Sequence, residues 1–259
     1  MDLGIAGRQA LVMGAGRGLG RACAAALAQE GAAVTLVARD PERLARAAAE
    51  IRAVTGAKVT PVAGDFRTAS GRDAALAACA SPDILVTNAE GFPPGDFRDY
   101  DRADWIAALD DMMLGPIELI RRTVDGMIAR RFGRIVNLVS RSVKSPQGDL
   151  PLSNGARAAL VGFVAGLARQ IAQHNVTINN LLPGIFASDA QRRHVEGLVA
   201  ITGRAFDEIW AERARANPAG RYGDPAELGA ACAYLCSAQA GYVTGQSLLV
   251  DGGGYPGTF

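Results

Sequence analysis

Between residues 140 and 157 the chain gathers four side chains able to handle an oxygen and its proton: Ser140, Lys144, Ser153 and Arg157. Both serine hydroxyls can hydrogen-bond a substrate oxygen, and the guanidinium adds a fixed charge and several donors to steady an alkoxide. Neither type is a good acid at neutral pH, because a serine hydroxyl is far weaker than a phenol of pKa ~10 and a free guanidinium keeps its proton to above ~12. Lys144, in a chain whose one other lysine is Lys58, is therefore the candidate proton source, on condition that burial beside Arg157 makes its ammonium a readier acid. The competing reading is a solvent-facing loop lysine.

A second set of residues suits a phosphate-bearing ligand. Gly14, Gly18 and Gly20 lie in the loop that follows an apolar strand, Gln9 to Met13, and opens an Ala-rich helix running to about Glu30. Glycines there allow a tight turn and close backbone approach, while the helix N-terminus, with Leu19 in its first turn, offers free N–H groups to a pyrophosphate. A glycine loop alone is a weak signal, but the strand before and the helix after supply the context it needs. At the end of the second strand the position suited to a ribose-binding carboxylate holds Ala38, and Arg39 comes next. With Arg17 as a second cation, a 2′-phosphate is favoured over a 2′-hydroxyl, hence NADP over NAD. A solvated helix-start arginine is the alternative for Arg39.

The elements that must position these groups alternate along the whole chain. Strands are expected at Gln9–Met13, Gly31–Ala38, Lys58–Ala63, Asp83–Thr87, Gly133–Val139, Asn175–Leu182 and Ser247–Val250, with Pro61 weakening the third. Helices are expected between them, including a short one over Asp73–Cys79 and a long one over Arg102–Arg131 with a kink at Gly115-Pro116. This order calls for an α/β fold, a doubly wound parallel sheet of Rossmann type, as a single domain over residues 1–259. The charged segment 188–217 is long enough to be a lid over the site.

Composition narrows the partners. The 27 basic and 26 acidic residues nearly cancel, so neither nucleic acid nor an anionic membrane is implied, and a small-molecule substrate is expected. No apolar run is long enough to span a membrane and no leader pattern opens the chain, which reads as cytoplasmic. Cys232 and Cys236 share a helix face, but no His or carboxylate stands near them, so packing rather than a metal is the expectation. The two histidines read as a helix-end cap, His174, and as part of a solvated lid face beside Arg192 and Arg193, His194. Of the tyrosines only Tyr255 is a candidate stand-in acid.

Taken together, the three glycines of the loop, Asp65 with Phe66, the Asn88-Ala89 turn, Asn137, Ser140, Pro183-Gly184 and the terminal Val250-Asp251-Gly252-Gly253 resemble the short-chain dehydrogenase/reductase family. The likeness covers essentially the whole chain and is nearest to the 3-oxoacyl-carrier-protein reductase-like branch. It implies hydride transfer between NAD(P) and an alcohol or carbonyl, and pairing into a homodimer or homotetramer through the two long helices beside the site. It also implies that Asp65 and Phe66 meet the adenine, that Asn88, Ala89, Pro183 and Gly184 line the cofactor groove, and that Ser188 offers a hydroxyl to the carboxamide. The family's Tyr and Lys positions hold Ser153 and Arg157, its helix Asn falls at Met112 or Met113, and Glu90 stands where a glycine is usual. The expected function is an atypical NADP-dependent oxidoreductase acting on a small or acyl-type carbonyl. The alternatives are a lyase, isomerase or aldolase-like enzyme on the same fold, or a catalytically silent binding protein.

Overall fold

A computed structural model describes residues 2–258. Seven strands form one parallel sheet: β1 (Gln9–Met13), β2 (Ala33–Ala38), β3 (Val59–Ala63), β4 (Ile84–Asn88), β5 (Gly133–Leu138), β6 (Val176–Pro183) and β7 (Ser247–Val250). Their order is β3-β2-β1-β4-β5-β6-β7, so the chain reverses direction of growth between β1 and β4. That switch point opens a crevice beyond the strands' carboxyl ends, and ligands of such sheets bind there.

Among the described residues there are nine α-helices: α1 (Gly18–Gln29), α2 (Pro41–Thr55), α3 (Ala69–Ala78), α4 (Arg102–Leu109), α5 (Gly115–Arg130), α6 (Pro151–Ile171), α7 (Asp189–Thr202), α8 (Phe206–Ala216) and α9 (Pro225–Cys236). Because strand side chains alternate, Ala10 and Val12 of β1 pack with α1, α2 and α9, while Leu11 and Met13 pack with α3, α5 and α6. All four cysteines are buried in these cores, Cys23, Cys232 and Cys236 on the first face and Cys79 on the second.

Three elements differ from the sequence-based expectation. Pro61 is accommodated because β3 is an edge strand, paired with β2 alone. The helix expected from Asp73 begins at Ala69, where the Thr68 hydroxyl caps it by accepting from the Gly71 N–H. The helix over 102–131 is interrupted before Pro116, by a π turn over Asp110–Leu114 that lets the Gly115 N–H reach the Asp110 carbonyl. Proline has no N–H to continue the ladder, and the wider turn absorbs the mismatch.

Under the crevice a row of buried polar side chains crosses the sheet. Thr87, Asn137, Asn180 and Ser247 are register partners on β4, β5, β6 and β7. The Thr87 hydroxyl donates to Asn137 Oδ1 at 2.7 Å, Asn137 Nδ2 to Asn180 Oδ1 at 3.2 Å, and Asn180 Nδ2 to Ser247 Oγ at 3.1 Å. Among the described residues no helix is long and apolar enough to cross a membrane.

Candidate active site

The crevice is a cleft of about 520 Å³, lined by the glycine loop, by the carboxyl ends of β2, β4, β5 and β6, and by α7. At its floor α6 delivers Ser153 and Arg157, one helical turn apart and both buried. Arg157 Nε donates to Ser153 Oγ at 3.0 Å, and its terminal nitrogens donate to the carbonyls of Leu138 (3.3 Å), Val139 (2.8 Å) and Ala89 (3.2 Å). Four of the five guanidinium N–H groups are thus committed, and the planar fork is clamped between β4 and β5. Burial brings this guanidinium down to about 10, while nearby Asp111 pulls the other way. It therefore stays charged at neutral pH. Because Ser153 Oγ accepts from Arg157, its own O–H is left to donate elsewhere. Ser140 lines the same cleft at the end of β5, with its Oγ accepting from the Ser142 N–H at 3.1 Å.

Asp111 is the functional group that the sequence did not single out. The π turn presents it to the cleft, while Met112 is sunk in the core, so the helix position facing the site carries a carboxyl. Burial pushes that carboxyl up, against the pull of Arg67 and Arg157. Lys144, by contrast, is not among the cleft-lining residues, and its ammonium lies 5.9 Å from the centre of the Tyr255 ring. It ends the short helical turn after Ser140, and Asp111, not Lys144, is the charge that acts on Arg157. Tyr255 does not line the cleft either.

At the other end the glycine loop is drawn tight. A Cβ on Gly14 would lie 2.7 Å from Asn88, and one on Gly20 would collide with the Gly14 carbonyl, so Gly20 serves packing behind the cleft rather than lining it. Gly18 has φ +56°, a conformation that favours glycine. Asn88 Nδ2 donates to the Gly14 carbonyl and ties the loop to β4. No side chain caps α1 at its N-terminus, so its first-turn N–H groups face the cleft unclaimed by any side chain. Asp65 is chelated by Arg67, whose Nε lies 2.9 and 3.0 Å from its two oxygens, and this pairing holds the carboxyl below its ordinary value. Leu19, Phe66, Ala89, Pro183 and Gly184 line the cleft, and Ser188 does so while its Oγ caps α7 by accepting from the Gln191 N–H.

Glu90 neither plugs the groove nor stands alone. Its carboxylate accepts from Arg17 at 3.0 Å, Arg39 at 2.6 Å and Arg193 at 2.6 Å, so the three guanidiniums gather around one anion at the mouth of the cleft. Arg39 is therefore engaged at the site rather than merely solvated. The segment 188–217 folds as α7 and α8, and α7 turns Gln191 and His194 toward the cleft. His194 is half-buried, contrary to the solvated face expected for it, and burial pushes its imidazole down, helped by Arg213.

Comparison with known proteins agrees with this geometry. The family profile described as enoyl-(acyl carrier protein) reductase, of the short-chain alcohol dehydrogenase type, matches residues 14–254. The chain belongs to the short-chain dehydrogenase/reductase family. Within that family it is 30% identical over 251 residues to the NADPH-dependent reductase BacG of Bacillus subtilis, covering 95% of this chain and 97% of that one. It is also 30% identical over 259 residues to the 3-oxoacyl-[acyl-carrier-protein] reductase FabG of Vibrio harveyi, covering 98% and 99%. Among solved short-chain dehydrogenase/reductase structures, L-sorbose reductase from Gluconobacter frateurii, complexed with NADPH and L-sorbose, superposes with a TM-score of 0.92 at 31% identity, over 100% of both chains.

Proposed function

We propose that this protein is an atypical NADPH-dependent reductase of a small or acyl-type carbonyl, working without the phenol and ammonium that its family uses. The observation that carries this reading is the Ser153–Arg157 pair on the floor of the cleft that also holds the glycine loop and Arg39. The groove suits the cofactor: a glycine loop with Gly14 drawn against Asn88 and Gly18 at positive φ, uncapped amides at the start of α1 for a pyrophosphate, and Arg17 and Arg39 for a 2′-phosphate. When bound, NADPH supplies the hydride that a carbonyl carbon receives. Asn88, Pro183, Gly184 and Ser188 would hold its nicotinamide half, and Asp65 with Phe66 its adenine, all of them lining the one cleft.

The chain's own residues handle the oxygen. Ser140 and Ser153 donate hydrogen bonds to it, and Arg157, charged and dry, stabilises the negative charge that develops there. A dry fixed charge is worth far more than the same charge in water, which is why Arg157 can offset the loss of a stronger acid. The proton passes through the Ser153 hydroxyl, and Asp111, beside Arg157, is the carboxyl that holds it in place of Lys144. Residues 188–217 act as the lid over this site, with Arg193 reaching from α7 to Glu90 across the cleft mouth.

The test is calorimetric titration with NADPH followed by turnover of simple ketones and β-keto thioesters. Saturable NADPH binding is expected, and Ser153→Ala should lower kcat by roughly 10²-fold, the cost of one oxyanion donor, with NADPH affinity unchanged. Failure to bind NADPH at any concentration up to millimolar removes the redox reading.

A further inference from the structure

Beyond Ser140 the cleft carries two arginines without a salt bridge and a histidine. Arg141 from the end of β5, His194 from α7 and Arg213 from α8 line this end together. At the cofactor end the arginines are spoken for: Arg17, Arg39 and Arg193 share Glu90, and Arg17 also meets Asp189. Among the described residues, neither Arg141 nor Arg213 takes part in a salt bridge. His194 Nε2 and Arg213 Nε are moreover shut off from solvent with no hydrogen-bond partner.

An unsatisfied buried polar group costs roughly 1–3 kcal/mol, so a small side-chain shift that lets a ligand oxygen reach these two atoms on one wall of the cleft is favoured. Arg213 acts on the Tyr222 phenol, drawing it down against the upward push of burial. The Tyr222 hydroxyl donates to the Trp210 carbonyl at 3.2 Å, and its ring stacks on Trp210 at 4.0 Å. The groups that act on His194 are Arg213 and Arg141, which disfavour its protonation together with burial, and Asp149, which favours it. An anion arriving there would reverse the balance.

We infer that this end of the cleft binds a carboxylate of the substrate, so that the compound reduced is a small oxo acid rather than a neutral ketone. The inference rests on the reductase reading for the carbonyl, and on the Arg141–His194–Arg213 cluster alone for the anion. Planar guanidiniums match a carboxylate's two oxygens, and the cleft is within the ~300–1,000 Å³ usual for small-ligand sites, with most of it needed for a dinucleotide.

The experiment compares levulinate with its methyl ester, in which a methyl group removes the charge at one end. With NADPH, kcat/KM should favour levulinate by roughly tenfold or more, and Arg213→Gln should cut that ratio by about the same factor, the scale of a lost charge-assisted hydrogen bond. In parallel the His194 imidazole is followed by NMR, assigned with His174→Gln since the chain has two histidines. Levulinate should raise its pKa, and the ester should not. A wild-type ratio at or below one, or a ratio untouched by Arg213→Gln, overturns the inference. If neither compound oxidises NADPH, the imidazole decides: a shift with levulinate alone keeps the anion site while the reductase reading falls, and no shift overturns the site. A His194 shift produced by NADPH itself, with weaker NADPH binding in Arg213→Gln, would hand the cluster to the cofactor and likewise overturn it.

Discussion

At the scale of single residues, Asp111 and Glu90 make opposite uses of a carboxylate. Burial raises Asp111 above its ordinary value, so folding favours its protonated form. The stability this group contributes is complete below the unfolded value of ~3.9 and is lost as pH rises through the folded value. Above that folded value the ionised group is a net cost, and there Asp111→Asn should raise Tm by about 2–4 °C, the effect of ~1 kcal/mol in a domain of this size. That gain should vanish at acid pH, while kcat falls because the proton holder is gone, both readable from one series of melts and initial rates. Glu90 instead sits in the open among three guanidiniums. Glu90→Gln releases them to a phosphate, and since exposed pairs are worth about 0–1 kcal/mol each, NADPH should bind roughly three- to tenfold more tightly. Calorimetric titration that shows weaker binding would mean that the carboxylate holds ribose rather than competing with phosphate.

Elements decide which of these groups were visible beforehand. The strand–loop–helix pattern around Gly14–Gly20 is local, as is the pairing of Ser153 with Arg157 four residues on, and both are legible in the sequence. Asp111 was hidden because a π turn changes which residue of a helix faces inward, and nothing in Asp110 to Leu114 announces that turn. His194 was hidden by its neighbours: Arg192, Arg193 and Glu196 are exposed, yet Gln191 and His194, three apart, share the face that α7 turns inward. Lys144, expected at the site, ends the short helical turn over Arg141–Val143 and does not line the cleft. The helix α7 itself is thinly anchored, with Val195 its one buried residue, Arg193 its tie to Glu90 and Asp189 its tie to Arg17. Arg193→Ala should therefore speed amide exchange over residues 189–202 by roughly three- to tenfold, since ~1 kcal/mol of local stability is at stake. Global Tm should stay unchanged, and exchange that rises equally across α6 would contradict a local tie.

Across the whole molecule the sheet is held by more than apolar packing. Arg134, nearly fully buried, bonds the carbonyls of Ser237 and Asn175, and the Thr87–Asn137–Asn180–Ser247 row links four strands beneath the site. Asn137→Leu keeps the number and branching of side-chain heavy atoms but strands the Thr87 hydroxyl and the Asn180 side-chain carbonyl in a dry interior. It should cost about 3 kcal/mol, seen as a lower midpoint in a single denaturant transition. The row has one more property. Every one of its bonds points the same way, from β4 toward β7, so each amide is oriented by the one before it and the dipoles add like links in a polarised wire. The half-exposed serine at the far end sits where that wire meets water, and a disturbance there travels back, strand by strand, to the threonine next to the residue that stitches the nucleotide loop in place.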